Sequence, residues 1–227
     1  MSSLSDLLLY APVFSDLPSE TVDKIAEVGV KKKYKRNEII LREEENGGTF
    51  FVIIEGKVKV ARTSPDGREV ILGILNEFDF FGEMSLLDGL TRSATISAME
   101  SSELFIIERH QFLELLKENP EISIVLMQEL TKRLRSANMQ IKSFSLKDAE
   151  GKVATVLVQL AYDYGKIKQG IVEIEKLPLQ QDLANMASTS RETVSRTLHT
   201  FVKKGLIELE GSKLRIMDYE KFKSAYM

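Results

Sequence analysis

The stretch STSRETVSRTLHTFVKKGLIELEGSKLRIMD, Ser188 to Asp218, decides how the rest of the chain is read. Its front half is polar, with Arg191 and Arg196 five positions apart. At about 100° per residue with Arg191 at zero, Ser195 falls at roughly 40°, His199 at roughly 80°, Glu192 at about 100° and Arg196 at roughly 140°. Val194, Leu198 and Phe201 cluster at roughly 280–340° on the same wheel. One face is therefore apolar and docks, while the other offers two forks of donors and one carboxylate acceptor. That inventory suits base edges, because Arg pairs bidentately with guanine and Glu accepts from cytosine. Ser190 is an N-cap candidate, and the helix start it caps can also face a phosphate. The second half alternates about Gly211-Ser212 and reads as a hairpin. With a preceding helix from Leu179 to Ala187, the pattern is two short helices and a hairpin, a winged helix-turn-helix.

Working backwards, Asp148 is placed to cap a helix from Ala149 to Tyr164, and IVEIE suggests a short strand pair after it. Before the cap, no breaker interrupts the chain from Pro120 to about Leu146. Met127, Leu130, Leu134, Ala137, Ile141 and Phe144 recur there at spacings of 3, 4, 3, 4 and 3. A seam this narrow fits a two-stranded coiled coil and predicts a homodimer. Ile122 and Leu126 lie off the seam and are free to cover the preceding domain.

That domain is rich in strands. KYKRNEIILRE, TFFVIIEGKVKVARTS, EVILGILNEFDFFGE and SATISAMESSELFIIE are β-forming runs, separated by turns such as Asn46-Gly47-Gly48 and Pro65-Asp66-Gly67. Gly56 suggests a tight corner. Ahead of them, a helical segment from Ser5 to Val28 is interrupted at Pro12 and Pro18. The fold expected is α+β: an antiparallel β-roll over residues 1–118, a long helix and hinge over 119–147, and a winged helix-turn-helix over 148–227.

The totals exclude much chemistry. There are no cysteines, so disulfides, thiolate catalysis, iron–sulfur clusters and cysteine-ligated metals are out. His110 and His199 are the only histidines, too few for a histidine metal site, and no metal is expected. The Asp/Glu residues form no recognisable catalytic pair, and no enzyme is expected. MSSLSDLLLYAPVF has no positive n-region and no apolar run is long enough to span a bilayer, so a soluble cytoplasmic chain without membrane contact is expected. Net charge is −3, but the charge is uneven. Residues 149–227 hold 12 Lys/Arg against 10 Asp/Glu, whereas the first 148 hold 19 against 24. Arg191, Arg196, Lys203 and Lys204 face only Glu192 between Ser188 and Lys204, a local basic field.

The most informative stretch of the first domain is FGEMSLLDGLTRSATISA, Phe81 to Ala98. Gly82, Glu83 and Met84 follow a strand and open a short helical turn whose N–H groups and dipole favour an anion. Arg92 lies nine residues after Glu83, just ahead of a strand. An arginine inside a β-roll needs a partner, because an unpaired buried charge is costly. A bound phosphate is one such partner, and an internal Arg92–Glu83 pair is the alternative.

SRETVSRTL resembles the recognition helix of the Crp–Fnr superfamily of bacterial transcription regulators. GE followed by RSA, at Gly82, Glu83, Arg92, Ser93 and Ala94, resembles the phosphate-binding cassette of cyclic-nucleotide-binding domains. The resemblance spans nearly the whole chain. It implies that Arg191, Glu192 and Arg196 read bases in the major groove and that Gln181 and His199 approach phosphates. It also implies that Gly82, Glu83, Met84, Arg92 and Ser93 hold a cyclic nucleotide, cyclic AMP ahead of cyclic GMP, beside Asn138 of the dimer helix. Implied partners are palindromic double-stranded DNA, a second copy of the chain, and RNA polymerase. Three positions depart from the family. Ser188 stands where glycine is common in the turn, Asn37 where glycine is usual, and Ala137 has no polar group to offer a purine. Asn tolerates positive φ, so that turn survives. Two other readings stay open: a DNA-binding regulator with an empty or differently filled pocket, and a cyclic-nucleotide module acting through protein contacts.

Overall fold

The computed structural model describes residues 3–227. The chain divides into two units, one ending at Lys132 and one beginning at Arg133. In the first, α1 (Leu4–Leu8) and α2 (Ser19–Val28) are separated by the turn around Pro12 and Pro18. The strands follow: β1 (Val30–Tyr34), β2 (Ile39–Leu41), β3 (Thr49–Glu55), β4 (Val58–Thr63), β5 (Glu69–Leu75) and β6 (Phe80–Phe81). A short helix α3 (Glu83–Asp88) intervenes before β7 (Thr95–Ala98) and β8 (Ser102–Glu108). Then come α4 (Arg109–Glu118) and the long α5 (Pro120–Leu146), which continues into the second unit.

Two four-stranded antiparallel sheets, ordered β1-β8-β3-β6 and β2-β7-β4-β5, form the roll. The apolar run FFVII in β3 serves two cores, because successive side chains leave a strand on opposite faces. Phe51 and Ile53 turn inward between the sheets with Tyr34, Phe81, Ile96 and Leu104. Phe50, Val52 and Ile54 turn outward under the helices with Leu8, Ile25 and Phe112. Phe50 stacks on Phe112 at 4.0 Å between ring centres, and Phe51 on Phe81 at 4.7 Å. Ile122 and Leu126 of α5 join the outer core, as expected for residues off the seam. The seam positions Met127, Leu134 and Ile141 are 59%, 62% and 62% exposed within the single chain. Asn37 takes a φ of 66° at the turn between β1 and β2, and its N–H donates to Ala98 O at 2.7 Å.

The second unit holds the end of α5 and α6 (Ala149–Tyr164), β9 (Lys166–Lys168), β10 (Ile171–Ile174), α7 (Gln180–Ala187), α8 (Arg191–Lys203), β11 (Ile207–Glu210), β12 (Lys213–Ile216) and α9 (Tyr219–Tyr226). Asp148 caps α6 by accepting from Gly151 N at 2.8 Å. The strands pair antiparallel in the order β11-β12-β10-β9, and Gly211 turns the β11–β12 hairpin. Ser188 closes α7 in the left-handed region, at φ 49° and ψ 52°. It does without glycine what the sharp turn into α8 requires. The closing helix α9 was not expected from sequence. Asp218 caps it through Lys221 N, and Tyr219 and Phe222 bury one face.

The wing carries a cross-strand ion network. Glu173 accepts from Lys213 Nζ at 2.7 Å and from Arg215 Nε at 2.8 Å, and Arg215 also reaches Glu208 at 3.5 Å. Residues 173 and 215 are direct partners in the β10–β12 register, as are 208 and 215 in β11–β12. Hydrogen bonds from Lys213 and then Arg215 pull the Glu173 carboxyl from 4.5 down to about 2. A carboxylate whose folded pKa lies below its unfolded value contributes stability above the unfolded value and loses it as pH falls toward the folded one. The melting temperature is therefore expected to drop as pH descends from about 4.5 toward about 2, and Glu173→Gln to flatten that slope in a calorimetric pH series.

Candidate functional site

In the first unit, β6 ends at Phe81, and Gly82, the N-cap of α3 with a φ of 88°, turns the chain into that helix. A Cβ at this position would meet Thr49 O at 2.7 Å and Arg92 Nη1 at 3.0 Å, so the approach of Arg92 depends on glycine. Glu83 and Arg92 are only 2% and 5% exposed, and Ser85 is buried with them. The Arg92 guanidinium is moored on three sides. Nη1 donates to Gly82 O at 2.9 Å and to Ser85 Oγ at 2.8 Å. Nη2 donates to Thr49 O and Thr49 Oγ1, both at 3.0 Å. The main chain of Arg92 is clamped as well, its N–H donating to Glu45 O at 2.8 Å and its carbonyl accepting from Glu44 N at 2.9 Å. Burial lowers the pKa of this guanidinium, and the Glu83 charge works against that fall.

One donor is left over. Arg92 Nε is buried and has no hydrogen-bond partner, the one such side-chain nitrogen or oxygen among the described residues. Gly47 lies against it, where an added Cβ would stand 3.1 Å from Nε and 2.1 Å from Ser85 Oγ. An unpaired buried N–H normally costs about 1–3 kcal/mol. A charged fork with a free donor, set among glycines where backbone can approach closely, is suited to an anionic oxygen. Gly82→Ala is expected to destabilise the first unit by about 1–3 kcal/mol in urea unfolding, through positive φ and the clash at Thr49 O.

Gly82, Glu83 and Arg92 are thus brought together. Met84 and Ser93 lie at the exposed rim, joined by a Ser93 Oγ contact to Met84 Sδ at 3.5 Å. Asn138 and Ala137 are exposed on α5, in the second unit. Sequence reading missed Thr49 and Ser85. Their signal is weak: a serine three residues after Gly82, and a threonine 43 positions from its partner.

In the second unit, Ser190 accepts from Thr193 N at 3.2 Å and starts α8. Val194, Leu198 and Phe201 are buried, while Arg191, Glu192, Arg196 and His199 are exposed, as the wheel requires. The Arg196 guanidinium makes a long contact, 3.5 Å from Nη2 to Thr193 Oγ1. Glu192 is held below the usual carboxylate range, first by its own backbone N–H and then by Ser190, so it presents an acceptor. Gln181 is exposed at the start of α7, its amide donating to Asn185 Oδ1 at 2.9 Å. His110 is exposed in the first turn of α4. Among the described residues, no cluster of three or more His, Asp or Glu side chains is placed to hold a metal ion, and no helix is long and apolar enough to cross a membrane.

The cyclic nucleotide-binding domain family model matches residues 31–119, and the Crp-like helix-turn-helix domain model matches residues 151–225. The cyclic AMP receptor protein of Thermus thermophilus is 33% identical, over 92% of this chain and 93% of its own. A CRP-like cAMP-activated global transcriptional regulator of Mycobacterium tuberculosis is 30% identical, over 96% of this chain and 97% of its own. A solved structure of a CooA mutant from Carboxydothermus hydrogenoformans aligns with a TM-score of 0.78 at 25% identity, over 90% of each chain.

Proposed function

Because the chain belongs to the Crp–Fnr superfamily of transcription regulators, with cyclic nucleotide-binding and helix-turn-helix domains, we propose that it is a homodimer whose grip on palindromic DNA is gated by a cyclic nucleotide. The observation that carries the gating is the orphaned Nε of buried Arg92. A cyclic phosphate gives this donor an acceptor, and Glu83 in its ionised form takes a sugar hydroxyl. Cyclic AMP is favoured over cyclic GMP by the names of the relatives, which are a cyclic AMP receptor and a cAMP-activated regulator. The exposed stripe of Met127, Leu134 and Ile141 supports pairing through α5, with Leu130, Ala137 and Phe144 completing the seam. In the functional division this reading assigns, residues 1–118 receive the ligand, 119–147 pair the subunits, and 148–227 hold the DNA.

Arg191, Glu192 and Arg196 then face base edges, while Ser190, Gln181 and His199 lie toward phosphates. Two such helices must sit about one helical turn apart to meet both half-sites. Ligand gates affinity only if it binds the DNA-competent arrangement of the subunits more tightly than the other. RNA polymerase is the partner that a promoter-bound dimer would contact, in the cytoplasm. Isothermal titration should show one saturable site per chain for cyclic AMP, and anisotropy on a palindromic duplex should tighten with the nucleotide. Absence of heat with both cyclic AMP and cyclic GMP sinks the gating. One observation favours a second reading, a ligand-independent regulator: Arg92 already donates to Gly82, Ser85 and Thr49 without ligand. DNA affinity that is unchanged by either nucleotide selects it.

A further inference from the structure

The closing helix α9 makes contacts that neither the cradle nor the base-reading face uses. Its last residues bring three elements of the second unit to one place. Tyr226 OH donates to Glu150 Oε1 at 2.7 Å, and the same oxygen accepts from Lys204 Nζ at 2.8 Å. Lys204 is the C-cap of α8. The Tyr226 ring packs on Phe201 of α8 at 5.3 Å and on Phe222 at 5.0 Å, while Phe201 and Phe222 meet edge-on at 5.4 Å. The main-chain oxygen of Tyr226 accepts from Lys147 Nζ. Lys147 stands in the short link between α5 and α6.

Lys147 is itself tied to both flanking helices. Its ammonium also donates to Thr155 Oγ1 at 2.7 Å, and that hydroxyl accepts from Ser143 Oγ of α5 at 3.2 Å. Thr155 completes its set by donating to Gly151 O at 2.8 Å. Ser143 and Thr155 are buried, so this is an interior polar chain with each hydroxyl partnered. The Lys147 stem crosses Gly151 closely enough that a Cβ there would stand 3.1 Å from Lys147 Cβ. A second lysine of α5, Lys142, donates to Met227 O at 3.1 Å. A continuous route of contacts therefore runs from the end of α5, through Lys147 and Tyr226, to the helix carrying Arg191 and Arg196.

We propose that Lys147 and Tyr226 are positioning residues: they set the orientation of α8 relative to the end of α5, and so the fit of paired recognition helices to both half-sites at once. This rests on the homodimeric DNA-binding reading above. Neither side chain touches DNA or nucleotide in that reading. A half-site needs only one correctly folded α8, whereas a palindrome needs two at a fixed separation. Loosening the strut therefore weakens the palindrome selectively. A contact that matters only to folding would weaken both alike.

The wild-type protein, saturated with cyclic AMP or cyclic GMP, first selects its preferred palindrome from a pool of random duplexes. A second duplex keeps one half-site and scrambles the other. Dissociation constants for both are measured by anisotropy for wild type, Tyr226→Phe and Lys147→Met. Tyr226→Phe keeps the ring among Phe201 and Phe222 and so tests the hydroxyl link with the aromatic cluster intact. The expected result is about tenfold weaker palindrome binding for each variant, with half-site affinity kept within about twofold. Nucleotide affinity by calorimetry stays at the wild-type value. Equal losses on both duplexes, or no loss on the palindrome, overturn the proposal while leaving the DNA-binding reading in place. A wild type that selects no duplex overturns that reading, and the proposal with it.

Discussion

Arg92→Met is expected to weaken cyclic-nucleotide binding by a factor of roughly 10²–10⁴ in isothermal titration, equivalent to about 3–5 kcal/mol. The figure follows from breaking a buried pair of opposite charges, which costs about 3–5 kcal/mol when one partner is removed, with the free Nε supplying the charge-assisted hydrogen bond to the phosphate. Methionine matches the stem of the arginine but offers no donor. It also strands acceptors in the unliganded protein, since Gly82 O, Thr49 O and Ser85 Oγ all lose a partner. Unfolding in urea should therefore show a separate cost in the absence of ligand, and comparing the two measurements separates cradle damage from ligand contact. Arg92→Lys should fall between, because a lysine keeps the charge and loses the planar fork. Wild-type nucleotide affinity in Arg92→Met would refute the assignment of the cradle.

Replacing both Arg191 and Arg196 with alanine is expected to cost roughly 2–6 kcal/mol of specific DNA affinity, at about 1–3 kcal/mol for each base-reading side chain. Both are exposed on α8, so the fold should be indifferent to the change, and the melting temperature should stay close to that of wild type. Each single variant should relax sequence preference at its own base position. Loss of a phosphate contact, by contrast, weakens all sequences alike and lowers the salt slope by about one. Anisotropy on the selected palindrome and on a scrambled duplex, across a salt series, distinguishes the two. Unaltered regulation by the double variant would instead favour a module that works through protein contacts.

Much of this architecture was legible because period and burial agree. The α8 wheel separated Val194, Leu198 and Phe201 from Arg191 and Arg196, and their burial follows that division. Asp148 and Ser190 announced their helices because a short oxygen-bearing side chain satisfies backbone N–H groups locally. What stayed hidden depends on tertiary proximity. Thr49 receives Arg92 across 43 positions, and nothing around a threonine at a strand start signals that role. The eight-residue α9 went unread although Asp218 as cap and Tyr219, Phe222 and Tyr226 at spacings of 3 and 4 were its signature. Ser188 shows the opposite limit. A serine does not advertise a left-handed conformation, and the close packing of α7 and α8 imposes it.

The way Arg92 is moored bears on how this domain can diverge. Two of its four acceptors are main-chain carbonyls, of Thr49 and Gly82, which no point mutation deletes. Thr49 opens β3, a strand wedged between two cores and thereby among the hardest parts of the roll to displace. The guanidinium can hold its station while side chains around the rim drift. On the function proposed above, such a scaffold lets a lineage exchange one small-molecule signal for another, or abandon signalling, without first rebuilding the surroundings of Arg92.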